Sequence, residues 1–115
     1  MHNYKNLKIW QKSREIVKEV FLATRDFPLD EKYGLVSQIM RCAYSIPSNI
    51  AEGSGRGSNK EFIRFLAIAL GSAYELETQL ILACDVGYLN ETTYQKLIDS
   101  LQEIQRMIYA FKNNL

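Results

Sequence analysis

The chain has 115 residues and a mass of 13.3 kDa, enough for one ordinary domain and too few for two full-size cores. Apolar residues make up 47% and charged residues 23%, which excludes a disordered chain, and two prolines and six glycines supply too little turn chemistry for a β-sandwich. Fourteen basic against thirteen acidic side chains leave a net charge of +1, which argues against a globally basic nucleic-acid coat but not against a local basic patch.

The first helical segment runs from about Leu7 to Arg25, with Leu7, Trp10, Val17, Val20, Phe21 and Thr24 on one face. A second, weaker stripe holds Ile9, Ile16 and Ala23. Pro28 ends the segment, because proline disfavours helical geometry in the residue before it. A second helix is expected from about Asp30, its core stripe Leu35, Ile39, Cys42, Ala43, Ile46 and Ile50 at steps of three and four. Pro47 lacks the N–H that would bond the Ala43 carbonyl, so a kink or break is expected there. The run Gly53-Ser54-Gly55-Arg56-Gly57 stops the helix and is the most flexible stretch by composition.

Ser58-Asn59-Lys60-Glu61 has the pattern of a capping box and opens the third helix. Phe62, Phe65, Leu66, Ala69, Ala73, Leu76, Leu80 and Ala83 form one stripe along it. Ile63, Ala67, Leu70, Tyr74 and Ile81 form another. One small bundle covers a single face of such a helix well, so the second stripe points to a homo-oligomer interface. Gly87 ends this helix and Asn90 caps the fourth, whose seam is Leu97, Leu101, Ile104, Ile108 and Phe111. The expected architecture is all-α: one domain over residues 1–115, an antiparallel up-down-up-down four-helix bundle. Its helices lie at about 7–25, 30–53, 59–86 and 91–112.

Reactive chemistry is sparse. The single histidine, His2, sits at the terminus, which leaves a Ser/His or Cys/His nucleophile pair without support. No Glu-x-x-His pair and no zinc-ligand spacing occurs, so no catalytic, cofactor or metal residues are assigned. Cys42 and Cys84 match no redox spacing and fall on apolar stripes, which reads as two reduced thiols in a cytoplasmic protein. The opening residues have no secretory h-region, and the strongest apolar run, Phe65 to Gly71, is far short of the roughly 18 residues of a membrane span.

Two basic clusters stand out. Lys5, Lys8, Lys12, Arg14 and Lys18 crowd the first eighteen residues against Glu15 alone, with Tyr4 and Trp10 between them. Arg56, Lys60 and Arg64 flank the third helix N-terminus, where free amides and the helix dipole favour a phosphate. Lys5, Lys8, Lys12, Arg14, Arg56, Lys60 and Arg64 are therefore the candidate contacts to an RNA or DNA backbone. Solvated helix faces are the competing reading of both clusters, and Trp10 reads better as a core residue than as a stacking platform. Residues 1–64 hold 11 basic and 7 acidic side chains, residues 65–115 only 3 and 6. A polar stripe on the second helix, Arg41, Ser45, Ser48, Asn49 and Glu52, forms an internal network or lines an oligomer interface or channel, with a plain solvent face the competing reading for Arg41 and Ser45. Glu77 falls in line with Ala73 and Leu80, where it needs a partner.

The strings LKIWQKS, KYGLVSQIMRCAYSIPSNIAEGSGRGS and NKEFIRFLAIALGSAYELETQL resemble the signature of the 23S rRNA intervening-sequence protein family, across roughly Tyr4 to Phe111. The resemblance implies an antiparallel four-helix bundle without catalytic residues, in which Pro47, Asn49, Glu52, Gly53, Glu75 and Glu77 determine fold and assembly. It also implies a distant likeness to the accessory protein of diversity-generating retroelements, a pentameric barrel that binds nucleic acid through a strongly basic surface. The present chain departs from that surface in charge. The expectation is a homo-oligomer, with a pentamer favoured, that contacts RNA or DNA backbone. A protein-interaction module with a protein partner is the alternative.

Overall fold

Side-chain caps mark where the last two helices begin. In the computed structural model, which describes residues 3–115, the helices are α1 (Lys8–Thr24), α2 (Leu35–Ser54), α3 (Asn59–Asp85) and α4 (Glu91–Asn113). The Ser58 hydroxyl accepts the Glu61 amide at α3, and the Asn90 side chain accepts the Thr93 amide at α4. The capping box is half formed, because the Glu61 carboxylate pairs with Arg64 at 3.0 Å. At the end of α3, Gly87 takes φ 83°, and the Tyr88 amide reaches back to the Ala83 carbonyl at 3.0 Å, which closes the helix in a Schellman turn.

Contacts across the seams show the helix directions. Along α2 and α3, Cys42 meets Glu75, Ser45 meets Ser72, and Gly53 meets Phe65, so one helix rises as the other falls. Along α3 and α4, Ala73 pairs with Gln105 and Glu77 with Gln102. α1 packs on α2 and α4, while α1 and α3 sit diagonally opposite. The result is an antiparallel four-helix bundle 43 Å long, and no strand occurs among the described residues.

The α3 core stripe lies as its spacing predicts: Phe62, Phe65, Leu66, Ala69, Ala73, Leu76, Leu80 and Ala83 are all buried. Leu97, Leu101, Ile104 and Ile108 complete the seam from α4. α1 is rotated from the expectation. Its buried face is Ile9, Ser13, Ile16, Val20 and Thr24, whereas Phe21 is exposed and Trp10 and Val17 are half-buried. Counting apolar residues understated this face because Ser13 lies in its middle. The Ser13 hydroxyl donates to the Ile9 carbonyl, which lets it sit in the core without an unpaired donor.

α2 also differs from its forecast. It starts at Leu35 rather than near Asp30, because Leu29–Glu31 form a 3₁₀ turn. Glu31 then accepts the Leu35 amide at 3.4 Å and the Tyr88 hydroxyl at 3.0 Å, which ties the two loops at this end of the bundle together. Pro47 does not break the helix, which continues through it to Ser54. Ser54, one residue past the expected end, is helical too, and both it and Gly53 are buried.

Among the described residues, α3 is the one helix long and apolar enough to cross a bilayer, with a mean hydropathy of 1.2 over 18 residues. No unbroken apolar run marks it in the sequence, because its apolarity is shared between two faces. One of those faces builds the bundle core.

Two glycines separate close packing from open surface. A Cβ on Gly53 would lie 2.6 Å from the Phe65 Cβ, a buried backbone-anchored atom that cannot swing away. A Cβ on Gly71 would meet nothing within 4 Å. Gly53→Ala is expected to lower stability by about 1–3 kcal/mol through overpacking. Gly71→Ala should raise it by about 0.5–1 kcal/mol through helix propensity. Urea denaturation of the dilute protein checks both signs.

Candidate nucleic-acid interface and assembly face

The polar stripe of α2 divides between the α3 seam and solvent. Ser45 and Asn49 are half-buried against α3, where Ser45 Oγ lies 2.7 Å from Ser72 Oγ and Asn49 Nδ2 donates to the Ser45 carbonyl at 2.8 Å. One turn earlier, Arg41 donates to Gln38 at 2.6 Å and to Glu75 at 3.4 Å. Ser48 and Glu52 face solvent. Glu77 finds two amide donors rather than a cation: Gln105 Nε2 at 2.8 Å and Gln102 Nε2 at 3.1 Å. The buried Gln105 carries no apolar signal, although its position one after Ile104 places it beside the stripe.

Cys42 and Cys84 are free thiols. Cys42 is buried and donates to Glu75 at 3.0 Å. Burial first, then the bond to the Glu75 carboxylate, pushes this thiol up to about 12. Cys84 is partly exposed, and desolvation together with Glu91 also raises it. Such thiols are held protonated, the opposite of an activated nucleophile. No group of three or more His, Cys, Asp or Glu side chains converges among the described residues. His2 lies outside them.

The Ser45–Ser72 contact marks the middle of the bundle, and charge divides there. Residues 3–15, 46–72 and 104–115 hold nine basic and three acidic side chains; residues 16–45 and 73–103 hold five and ten. Charge is thus polarised along the bundle axis rather than between the halves of the sequence. All seven sequence-derived candidates, Lys5, Lys8, Lys12, Arg14, Arg56, Lys60 and Arg64, fall in the basic half and are exposed. The 3₁₀ turn Tyr4–Asn6 packs on α2, which brings Lys5 toward the helix end that leads to Arg56.

These cations differ in what they already touch. Lys12 pairs with Glu103 at 3.5 Å, Arg56 with Glu52 at 3.8 Å and Arg64 with Glu61 at 3.0 Å. All three pairs are largely solvated and therefore weak. Arg56 and Arg64 both lie over the Phe65 ring, at 4.8 and 4.9 Å, which draws them to one spot at the α3 N-terminus. Arg14 lies 5.6 Å over the Trp10 ring and Lys5 5.9 Å over Tyr4.

The second α3 stripe is open on the single chain. Ala67, Tyr74 and Ile81 are exposed, Ile63 is half-buried, and Leu70 packs partly against the core. Ile68 and Leu82 are exposed too and were missed from sequence, but helical spacing sets them about 100° round α3 from this stripe, on the side toward α2. They stand seven residues either side of Glu75, and that charge interrupts an otherwise apolar line. Tyr109 of α4 lies beside Tyr74, sharing an open hollow of about 440 Å³ with Gln102, Gln105 and Arg106.

The geometry defines a small antiparallel helical bundle with one cationic end and one uncovered apolar helix face. The family model of the 23S rRNA-intervening sequence protein matches residues 5–110, and the chain belongs to that family. It is similar to the crystal structure of a protein of unknown function from the S23 ribosomal protein family of Bacteroides thetaiotaomicron VPI-5482. The two share 28% identity and a TM-score of 0.81, covering 90% of this chain and 97% of that one. No curated protein matches the chain.

The thiol carries its own prediction. Between about pH 9 and about pH 12 the unfolded chain loses the Cys42 proton while the folded chain keeps it. Unfolding then releases a proton, so stability falls as pH rises through this window. Chemical denaturation across that range should show a shallower fall for Cys42→Ala than for the parent. Equal slopes would show that Cys42 does not titrate as described.

Proposed function

We propose that the protein is a non-catalytic bundle that binds RNA or DNA backbone and works as a homo-oligomer built on the exposed face of α3. The observation that carries this reading is the concentration of nine basic and three acidic side chains in one half of the bundle. A net charge of +1 would disperse if the cations were scattered; here it conceals a cationic end. Lys5, Lys8, Lys12, Arg14, Arg56, Lys60 and Arg64 supply the contacts, and the α3 amides near Asn59 and Lys60 add dipole attraction for a phosphate.

Ile63, Ala67, Leu70, Tyr74 and Ile81 form the assembly face. Five copies is the number the likeness to the retroelement accessory protein suggests. A cytoplasmic location fits the two protonated thiols. The second reading is a protein-interaction module, favoured by the acid partners that Lys12, Arg56 and Arg64 already have.

Filter binding of a structured rRNA fragment tests the first reading. Affinity should fall steeply between 50 and 200 mM salt, on the order of tenfold or more for each few phosphates neutralised. Combined Lys8→Glu and Lys60→Glu should weaken every RNA sequence about equally. Absence of retention at low salt would overturn the proposal. For the assembly, light scattering should show an oligomer at micromolar concentration and a monomer for Tyr74→Glu. A monomeric parent protein would contradict it.

A further inference from the structure

The strongest feature that neither the fold nor the proposed backbone binding uses is a groove between α1 and α2. It encloses about 420 Å³, within the range of small-molecule and nucleobase pockets, and is open on one side. Tyr4, Trp10, Val17, Tyr44 and Pro47 line it, with Arg14 at its rim. Tyr44 is 52% exposed, and Trp10 is half-buried rather than sealed in the core. The rings are held in place: Tyr4 meets Trp10 edge-on at 5.2 Å, and Arg14 lies over the Trp10 face. The rotation of α1 that sends Ile9 and Ile16 inward leaves Trp10 on this groove.

A second depression adjoins the first and shares Trp10 and Arg14 with it. It is lined by Lys5, Lys18 and Gln11, with Glu15 the one acid. Planar apolar surfaces thus stand next to a run of cations. The complementary ligand is flat and apolar at one end and anionic at the next position along. An unpaired nucleotide has this form, with a base for the aromatic groove and a phosphate for the adjoining cations. A duplex does not, because its bases are stacked inside and only phosphates reach the protein.

The geometry points to the α1–α2 groove as a stacking site for an unpaired base of single-stranded nucleic acid, with Tyr44, Trp10 and the Arg14 guanidinium as its platform. Lys5 and Lys18 hold the flanking phosphates. This inference rests on the proposed backbone binding and makes it selective: the cationic end attracts any polyanion, and the groove favours strands with free bases. Arg14 serves both parts, since its plane stacks on a base while its charge faces the phosphate.

The chain's one tryptophan lies in the groove and reports on it directly. An eight-nucleotide oligoadenylate RNA and a blunt RNA duplex of equal length would each be titrated at low salt while Trp10 fluorescence is followed. Expected are quenching by the single strand, none by the duplex, and tighter binding of the single strand. Tyr44→Ala, at an exposed position, should lower single-strand affinity roughly tenfold or more and leave duplex affinity unchanged, with Tyr44→Phe restoring it. Equal binding of both RNAs without quenching would overturn the stacking site and leave the backbone reading intact. Binding of neither RNA would overturn both. Fluorescence that changes with protein concentration alone would assign the groove to a second copy of the chain and overturn the proposal.

Discussion

The close approach of α2 to α3 at Gly53 governs much of the arrangement. With no Cβ at this position, the α2 backbone sits directly against Phe62 and Phe65, and the two helices run side by side from there. Following that line up the seam brings Ser45 to Ser72 and then Cys42 to Glu75. Small or polar side chains occupy the narrow side of this seam because larger ones would force the helices apart. The wide side belongs to the leucines and isoleucines of the core. α3 therefore faces α2 and α4 with one stripe and has nothing left to cover the other.

How much of this could be read from the sequence depended on which signals were local. Caps at Ser58 and Asn90, the turn at Gly87 and the regular stripes of α3 and α4 depend on nearest neighbours along the chain, and these elements lie where spacing predicts. The α1 face was misjudged because Ser13 is apolar in effect once its hydroxyl is satisfied by Ile9, and no count of residue types carries that information. The early part of α2 was misplaced because its start is set by Glu31, which is held in turn by Tyr88, more than fifty residues later. Such non-local ties leave no trace in a periodicity.

The candidate interface was legible to the same degree. Each basic cluster is visible in the sequence, but their meeting in one half of the bundle follows only from antiparallel packing. The Phe65 ring, a core residue by spacing, also lies beneath Arg56 and Arg64 and so links the core to the surface. Trp10 moved the other way, from expected core to groove wall. Acid partners for three of the cations came from helix-adjacent or cross-bundle contacts, and these are weak enough in water for a phosphate to displace.

Axial polarity has a consequence for how copies can stand together. Bundles set side by side and pointing the same way place their positive ends next to one another, and likewise their negative ends. Each lateral contact then works against repulsion at both rims, which mobile ions relieve. In a ring of the proposed kind, added salt would therefore tighten the parallel contacts even as it loosened the proposed hold on a polyanion. A polyanion lying across such a cationic rim would do the work of salt at that rim alone, so the proposed ligand and neighbouring copies would strengthen each other's attachment.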